Sequence, residues 1–228
     1  MAQVLVVDDD PELLAVCQVG LTALGHVVRT AETGADGLAA TAVSPPDVIV
    51  LDLGLPDLDG VEVCRRIRAW SHTPIIVLSA DSTEDRKVEA LEAGADDYVT
   101  KPFGMRELNA RLRVALRHHA PGGPEAPAER DVGPLHLDLV HYQATFDGRD
   151  LELTPREFEF LAFLAGHAGK ACTRRMILEQ VWGPGYRNEL SYLKVYAYRI
   201  RRKMGDEQGR FLQSDPSVGY RLAVPSGS

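Results

Sequence analysis

The sequence predicts two domains: an α/β domain built on a doubly wound, five-stranded parallel sheet, followed by a smaller α+β domain. Three observations lead there. The apolar runs Val4 to Val7, Val48-Ile49-Val50-Leu51 and Pro74-Ile75-Ile76-Val77-Leu78 lack alternation, as suits strands covered on both faces. Residues 1–120 alternate strand and helix five times, and short right-handed crossovers wind such a pattern into one sheet between two helical layers. Beyond a Pro- and Gly-rich stretch the pattern changes to half-buried strands, three helices and a terminal hairpin.

The strand order expected of the first domain is the flavodoxin-like one. Its helices are predicted over Pro11 to Leu24, Gly34 to Val43, Gly60 to Trp70, Thr83 to Ala93 and Gly104 to His118, each bounded by Gly, Pro, Asp or Ser. Asp10 is expected to cap the first helix, because Pro11 fits a first helical turn. Ala95 to Thr100 is the last strand. The boundary lies in Ala120-Pro121-Gly122-Gly123-Pro124-Glu125-Ala126-Pro127-Ala128-Glu129, which divides the chain into 1–119, a flexible linker 120–131, and 132–228.

In the second domain Leu135 to Leu139 and Tyr142 to Phe146 alternate, and Asp147-Gly148 reads as a hairpin turn before Leu151 to Leu153. Thr154-Pro155-Arg156-Glu157 has the form of a capping box opening Phe158 to His167, and a second helix covers Arg174 to Val181. A third helix shows an apolar stripe, Leu190, Leu193, Ala197, Ile200 and Met204. Its opposite face carries Ser191, Val195, Tyr198, Arg199 and Arg202, flanked by Tyr192 and Lys203. Strands at Phe211 to Gln213 and Tyr220 to Val224 form the terminal hairpin.

The net charge of −8 resides entirely in residues 1–120, whereas 121–228 are balanced. Within that balanced half, Arg187, Lys194, Arg199, Arg201, Arg202 and Lys203 face only Glu189 between positions 187 and 203, a local stripe suited to a polyanion. Cys17, Cys64 and Cys172 are odd in number and far apart, so reduced, buried thiols are expected. His118-His119 is read as the end of a helix. Met1-Ala2-Gln3 passes straight into a strand and no apolar run reaches membrane-spanning length, from which a cytoplasmic protein without membrane partners is expected.

Parallel sheets bind ligands beyond the carboxyl ends of their strands, where Asp8, Asp9 and Asp52 would meet. Crowded carboxylates repel, so the cluster suggests a hard cation such as Mg2+. Ser79 and Lys101 reach the same edge. A nucleophilic Asp52 oxygen, with Lys101 and Ser79 binding the oxygens where charge accumulates, reads as phosphoryl transfer to a carboxylate.

Val7-Asp8-Asp9, Leu51-Asp52-Leu53, Leu55-Pro56-Asp57, Leu78-Ser79-Ala80, Gly94-Ala95-Asp96-Asp97-Tyr98 and Lys101-Pro102-Phe103 together resemble the receiver domain of two-component response regulators. That resemblance implies Asp52 as phosphoacceptor, Asp8, Asp9, Asp52 and the Gly54 carbonyl as metal ligands, Ser79 and Tyr98 as a switch pair, and a sensor histidine kinase as donor. It also implies a receiver homodimer with intersubunit pairs Lys87 with Glu107, Asp97 with Arg111 and Glu92 with Arg113, around Val88, Leu91 and Ala110.

Leu153-Thr154-Pro155-x-Glu157-Phe158, Val181-Trp182-Gly183 and Gly219-Tyr220-Arg221 resemble the winged-helix DNA-binding effector of the OmpR/PhoB class. The implied partners are double-stranded promoter DNA and RNA polymerase. The implied DNA contacts are Ser191, Tyr192, Lys194, Val195, Tyr198, Arg199, Arg202, Lys203, Tyr220 and Arg221. Pro216-Ser217 stands where the class commonly has Arg-Gly, leaving Arg221 or Arg210 to supply the wing cation. Trp70-Ser71, Arg111 to Arg117 and Val181-Trp182-Gly183-Pro184 resemble the Kdp-type regulators of potassium transport. Competing readings are a regulator of another regulon, an aspartyl-phosphate phosphatase, and a pure interaction module. The phosphatase reading is disfavoured because Gly54 occupies the place of its second acid.

Overall fold

The computed structural model describes residues 1–116 and 128–224, and the chain divides into two compact units, Met1–Arg117 and His118–Ser228. The first unit runs β1 (Gln3–Val7), α1 (Pro11–Ala23), β2 (Val27–Ala31), α2 (Gly34–Val43), β3 (Val48–Asp52), α3 (Gly60–Arg68), β4 (Ile75–Ser79), α4 (Glu84–Glu92), β5 (Asp97–Thr100) and α5 (Met105–Ala115). Its strands lie in the order β2-β1-β3-β4-β5 and every pair is parallel. This is the doubly wound sheet that the uniform apolar runs predict. Val4, Val6, Val48, Val50, Ile76, Leu78 and Val99 pack with Leu14, Cys17, Leu21, Leu108 and Leu112 from α1 and α5. All three cysteines are free and buried.

Local chemistry fixes how the strands hand over to the helices. Asp10 accepts from the Glu12 and Leu13 amides at 2.9 and 3.3 Å, so α1 begins directly beside Asp8 and Asp9. Gly60 opens α3 where a Cβ would lie 2.2 Å from the Asp52 carbonyl oxygen, so only glycine allows the helix this close to the end of β3. The expected end of α5 at His118, the His118-His119 pair and linker residues 120–127 lie outside the described residues. Among the described residues no helix is long and apolar enough to cross a membrane.

The second unit begins with an antiparallel sheet, β6 (Glu129–Val132), β7 (Leu135–Asp138), β8 (Gln143–Phe146) and β9 (Arg149–Asp150), in that order. Then come α6 (Pro155–Ala165), β10 (Cys172–Thr173), α7 (Arg174–Val181), a 3-10 turn at Pro184–Tyr186, α8 (Leu190–Met204), β11 (Leu212–Asp215) and β12 (Gly219–Leu222), the last strands pairing as β10-β12-β11. Three expectations are corrected. Glu129 to Asp131 are paired with β7 rather than belonging to the linker, and Arg130 donates to the Ala162 carbonyl at 3.2 Å. The strand expected over Leu151 to Leu153 is instead Arg149–Asp150, because Glu152 takes a φ of 45° and breaks the extended chain. Leu190, expected in the packed stripe of α8, is 49% exposed.

The capping box at Thr154 is present, with the Glu157 carboxylate accepting from the Thr154 amide at 2.9 Å. Glu157 is fully buried and also holds α8: Arg199 Nε lies 2.7 Å from Oε1 and Lys203 Nζ 2.8 Å from Oε2. Burial opposes its charge, yet Arg199 and Lys203 outweigh burial and hold the carboxyl below the usual glutamate range. Around this cluster Trp182 packs edge-on against Tyr196 and Tyr192.

Arg199→Ala is therefore expected to act on stability, removing on the order of 3 kcal/mol in chemical denaturation by leaving a buried carboxylate half-compensated. The ionic contribution of Glu157 is complete above the ordinary value of 4.5 and is lost as pH falls through the lower folded-state value. Acid titration of this unit's stability should consequently be flatter in Glu157→Gln than in the wild type between pH 4.5 and that lower value.

Candidate functional site

The carboxyl edge of the first sheet brings together four of the predicted side chains. Asp52 ends β3, Ser79 ends β4, and Asp8 and Lys101 directly follow β1 and β5. Asp8, Asp52 and Ser79 are buried, while Asp9 is exposed. Lys101 Nζ lies 2.7 Å from Asp8 Oδ2 and 2.6 Å from Asp52 Oδ1, one ammonium between two carboxylates. The other oxygens accept from the backbone: Asp8 Oδ1 from the Asp10 amide at 3.1 Å, and Asp52 Oδ2 from the Gly54 amide at 2.5 Å.

Electrostatics follow from that packing. Burial, above all, pushes the Asp8 carboxyl above the ordinary aspartate value. Burial works against the Lys101 ammonium, but hydrogen bonds to Asp52 and Asp8 outweigh it and raise its pKa. The expected metal set of Asp8, Asp9, Asp52 and Gly54 is not assembled as a cage. Among the described residues no three His, Cys, Asp or Glu side chains converge on one point, because the Lys101 ammonium lies between Asp8 and Asp52 and Asp9 faces outward. The donors nonetheless have the hard-oxygen chemistry that suits Mg2+.

Ser79 and Tyr98 share a side-chain hydrogen bond and are also bridged by a residue that sequence patterns do not mark. The Asp81 amide donates to Ser79 Oγ at 3.1 Å, and the Tyr98 hydroxyl donates to the Asp81 carbonyl at 2.5 Å. Tyr98 is already turned inward, 4% exposed, and burial raises its phenol. The Asp81 contacts are made by backbone atoms, so no side-chain motif could have revealed them.

On the α4, β5 and α5 face, Glu92, Glu107, Ala110 and Arg113 are exposed, and Lys87 and Val88 are half-buried. Leu91 and Asp97 are buried, against expectation. Arg111 reaches Asp97 at 3.0 Å and Glu107 at 3.0 Å within the same chain, and Lys87 lies 3.7 Å from Glu84. The Asp97 to Arg111 pair expected between subunits is thus closed within one.

The face expected on α8 is narrower than the helical wheel implies. Tyr192 and Val195 are buried because α8 packs against both α6 and α7. Arg199 and Lys203 are committed to Glu157, and Tyr220 is 7% exposed. Ser191 is half-buried. What remains outward is a line at four-residue steps, Lys194, Tyr198 and Arg202, with the Arg202 guanidinium 5.8 Å from the Tyr198 ring centroid. Arg221 on β12 is exposed, its Nε donating to Gln213 at 2.7 Å.

Residues 4–113 match the response regulator receiver domain family, and residues 148–222 match the family described as transcriptional regulatory protein, C terminal. The chain is 44% identical over 224 residues to the transcriptional regulatory protein KdpE of Mycobacterium tuberculosis H37Rv, covering 97% of this chain and 99% of that protein. It is 42% identical over 226 residues to the KDP operon transcriptional regulatory protein KdpE of Escherichia coli K12, covering 98% and 100%. Among solved structures, the Thermotoga maritima OmpR/PhoB homologue DrrB shares 35% identity at a TM-score of 0.52, over 98% of this chain and 99% of that one. With a receiver fold carrying a buried acid-lysine edge and a winged-helix domain behind it, the chain belongs to the two-component response regulators of the OmpR/PhoB class.

Proposed function

We propose that Asp52 is the phosphoacceptor of this regulator. The observation that carries the reading is the ammonium of Lys101 held between the Asp8 and Asp52 carboxylates. In the transfer, an Asp52 oxygen attacks phosphorus of a phosphohistidine on a sensor kinase, the P–N bond breaks, and an aspartyl phosphate forms. Lys101 and the Ser79 hydroxyl take the oxygens on which charge accumulates. Asp8, Asp9, Asp52 and the Gly54 carbonyl would hold Mg2+, which supplies neutralising positive charge when bound.

The added dianionic group draws Ser79 and Lys101 towards itself. Asp81, hydrogen-bonded to Ser79 on one side and Tyr98 on the other, carries that displacement to the α4, β5 and α5 face, where a receiver homodimer forms. Dimerisation holds two winged helices near one site on promoter DNA and raises the effective concentration of the second. Tyr198 and Arg202 enter the major groove, with Lys194 meeting the DNA at the start of the same line. Likeness to the two KdpE proteins supports a potassium-transport operon as target, a cytoplasmic setting, and RNA polymerase as a further partner.

Incubated with a small phosphoryl donor and Mg2+, the wild type should gain phosphoryl mass in intact-protein mass spectrometry and Asp52→Asn should not; equal labelling of the two would exclude Asp52 as acceptor. Arg202→Ala should weaken binding to genomic fragments that the wild type selects by about 1–3 kcal/mol and relax preference at one base position. Unchanged affinity and preference in a gel-shift series would remove α8 as the reader.

A further inference from the structure

The wing between β11 and β12 contains no cation: its loop reads Ser214-Asp215-Pro216-Ser217-Val218-Gly219. An arginine reaches it from elsewhere. Arg174, the first residue of α7, donates from Nη2 to the Pro216 carbonyl at 2.5 Å. A cation at a helix N-terminus opposes the helix dipole, and the first turn of α7 has no acid to offset it. That placement costs local stability, which a role outside the helix would explain.

Arg174 borders a cleft of about 280 Å3 between the start of α7, α8 and the wing, whose other walls include Lys194, Arg201, Asp215, Pro216 and Tyr220. Arg201 is fixed by Nε and Nη2 donating to the Leu212 carbonyl at 2.9 and 2.7 Å. Among the described residues none of Arg174, Lys194 and Arg201 has an ion-pair partner. The one carboxylate present, Asp215, is occupied by the Ser217 amide and hydroxyl at 2.9 and 2.6 Å. A Cβ on Gly219 would lie 2.2 Å from the Cys172 carbonyl oxygen and 2.9 Å from the Arg174 amide nitrogen, so β12 lies too close to the start of α7 for any side chain there. Lys194 also begins the outward line of Tyr198 and Arg202, which joins the cleft to the proposed reading face.

We propose that this cleft seats a backbone phosphate of bound DNA, with Arg174 and Lys194 as its cationic contacts and Arg174 serving as the wing's missing cation. The inference rests on the DNA-binding reading above. Three concentrated, unpaired cations, two of them oriented by backbone carbonyls, suit a phosphate oxygen set better than a base edge.

The test is affinity of the full-length protein for a short mixed-sequence duplex, measured by fluorescence anisotropy over a range of salt concentrations. Each lost phosphate contact lowers the slope of log affinity against log salt by about 0.9. Arg174→Gln and Lys194→Gln should each do so without lowering the melting temperature. Arg174→Lys should retain most of the slope. Arg175→Gln, at an exposed neighbour paired with Glu179 at 2.8 Å, should leave it at the wild-type value. An unchanged slope in Arg174→Gln, or an equal fall in Arg175→Gln, overturns the phosphate seat while leaving DNA binding intact. No salt-dependent binding by the wild type would overturn both.

Discussion

One ammonium between two buried carboxylates is the constraint on which the receiver edge depends. Without Lys101, Asp8 and Asp52 would face each other inside the protein with only amide donors between them, and burial already penalises the charge on Asp8. The fold supplies the arrangement cheaply. Parallel strands in register end together, so residues distant in sequence are delivered to one edge, and the backbone amides of Asp10 and Gly54 complete the coordination of the carboxylates. Two carboxylates against one ammonium leave the edge formally negative, so it responds strongly to any further charge placed there.

A further buried carboxylate, Glu157, organises the other unit. Glu157 belongs to the cap of α6 and simultaneously anchors two cations of α8, so helix initiation and helix docking share one residue. This sharing explains why α8 shows so few free cations despite its composition. It also separates roles that look alike in sequence: Arg199 is structural, whereas Arg202, three residues on, stays outside.

Much of this was legible in the sequence. Burial on both faces removes alternation from the strands, so β1, β3 and β4 declare themselves, and acidic residues directly after such runs mark the ligand-binding edge. The capping box at Thr154 and the hairpin turn at Asp147-Gly148 were equally readable, since both depend on local geometry. Other features depend on neighbours that a sequence window does not contain. Glu129-Arg130-Asp131 has no apolar signature and becomes a strand only by pairing with β7. Tyr192 and Val195 lie on what a helical wheel treats as the free face, but α8 is packed on more than one side. Lys101 was expected beside an incoming phosphate, and its position between Asp8 and Asp52, which leaves no open cage of carboxylates, follows from spacing that sequence does not encode. The basic start of α7 was a usable signal, because cations there run against the helix dipole.

The intrachain pair of Arg111 with Asp97 has a consequence for any self-association through that face. If the guanidinium leaves its own Asp97 for the equivalent residue of a second molecule, the number of ion pairs is conserved and their energies cancel to first order. Association is then an exchange of equivalent bonds, and its strength is set by the apolar area removed from water around Val88 and by concentration. Such a face joins and separates readily, which is the behaviour a reversible signal requires.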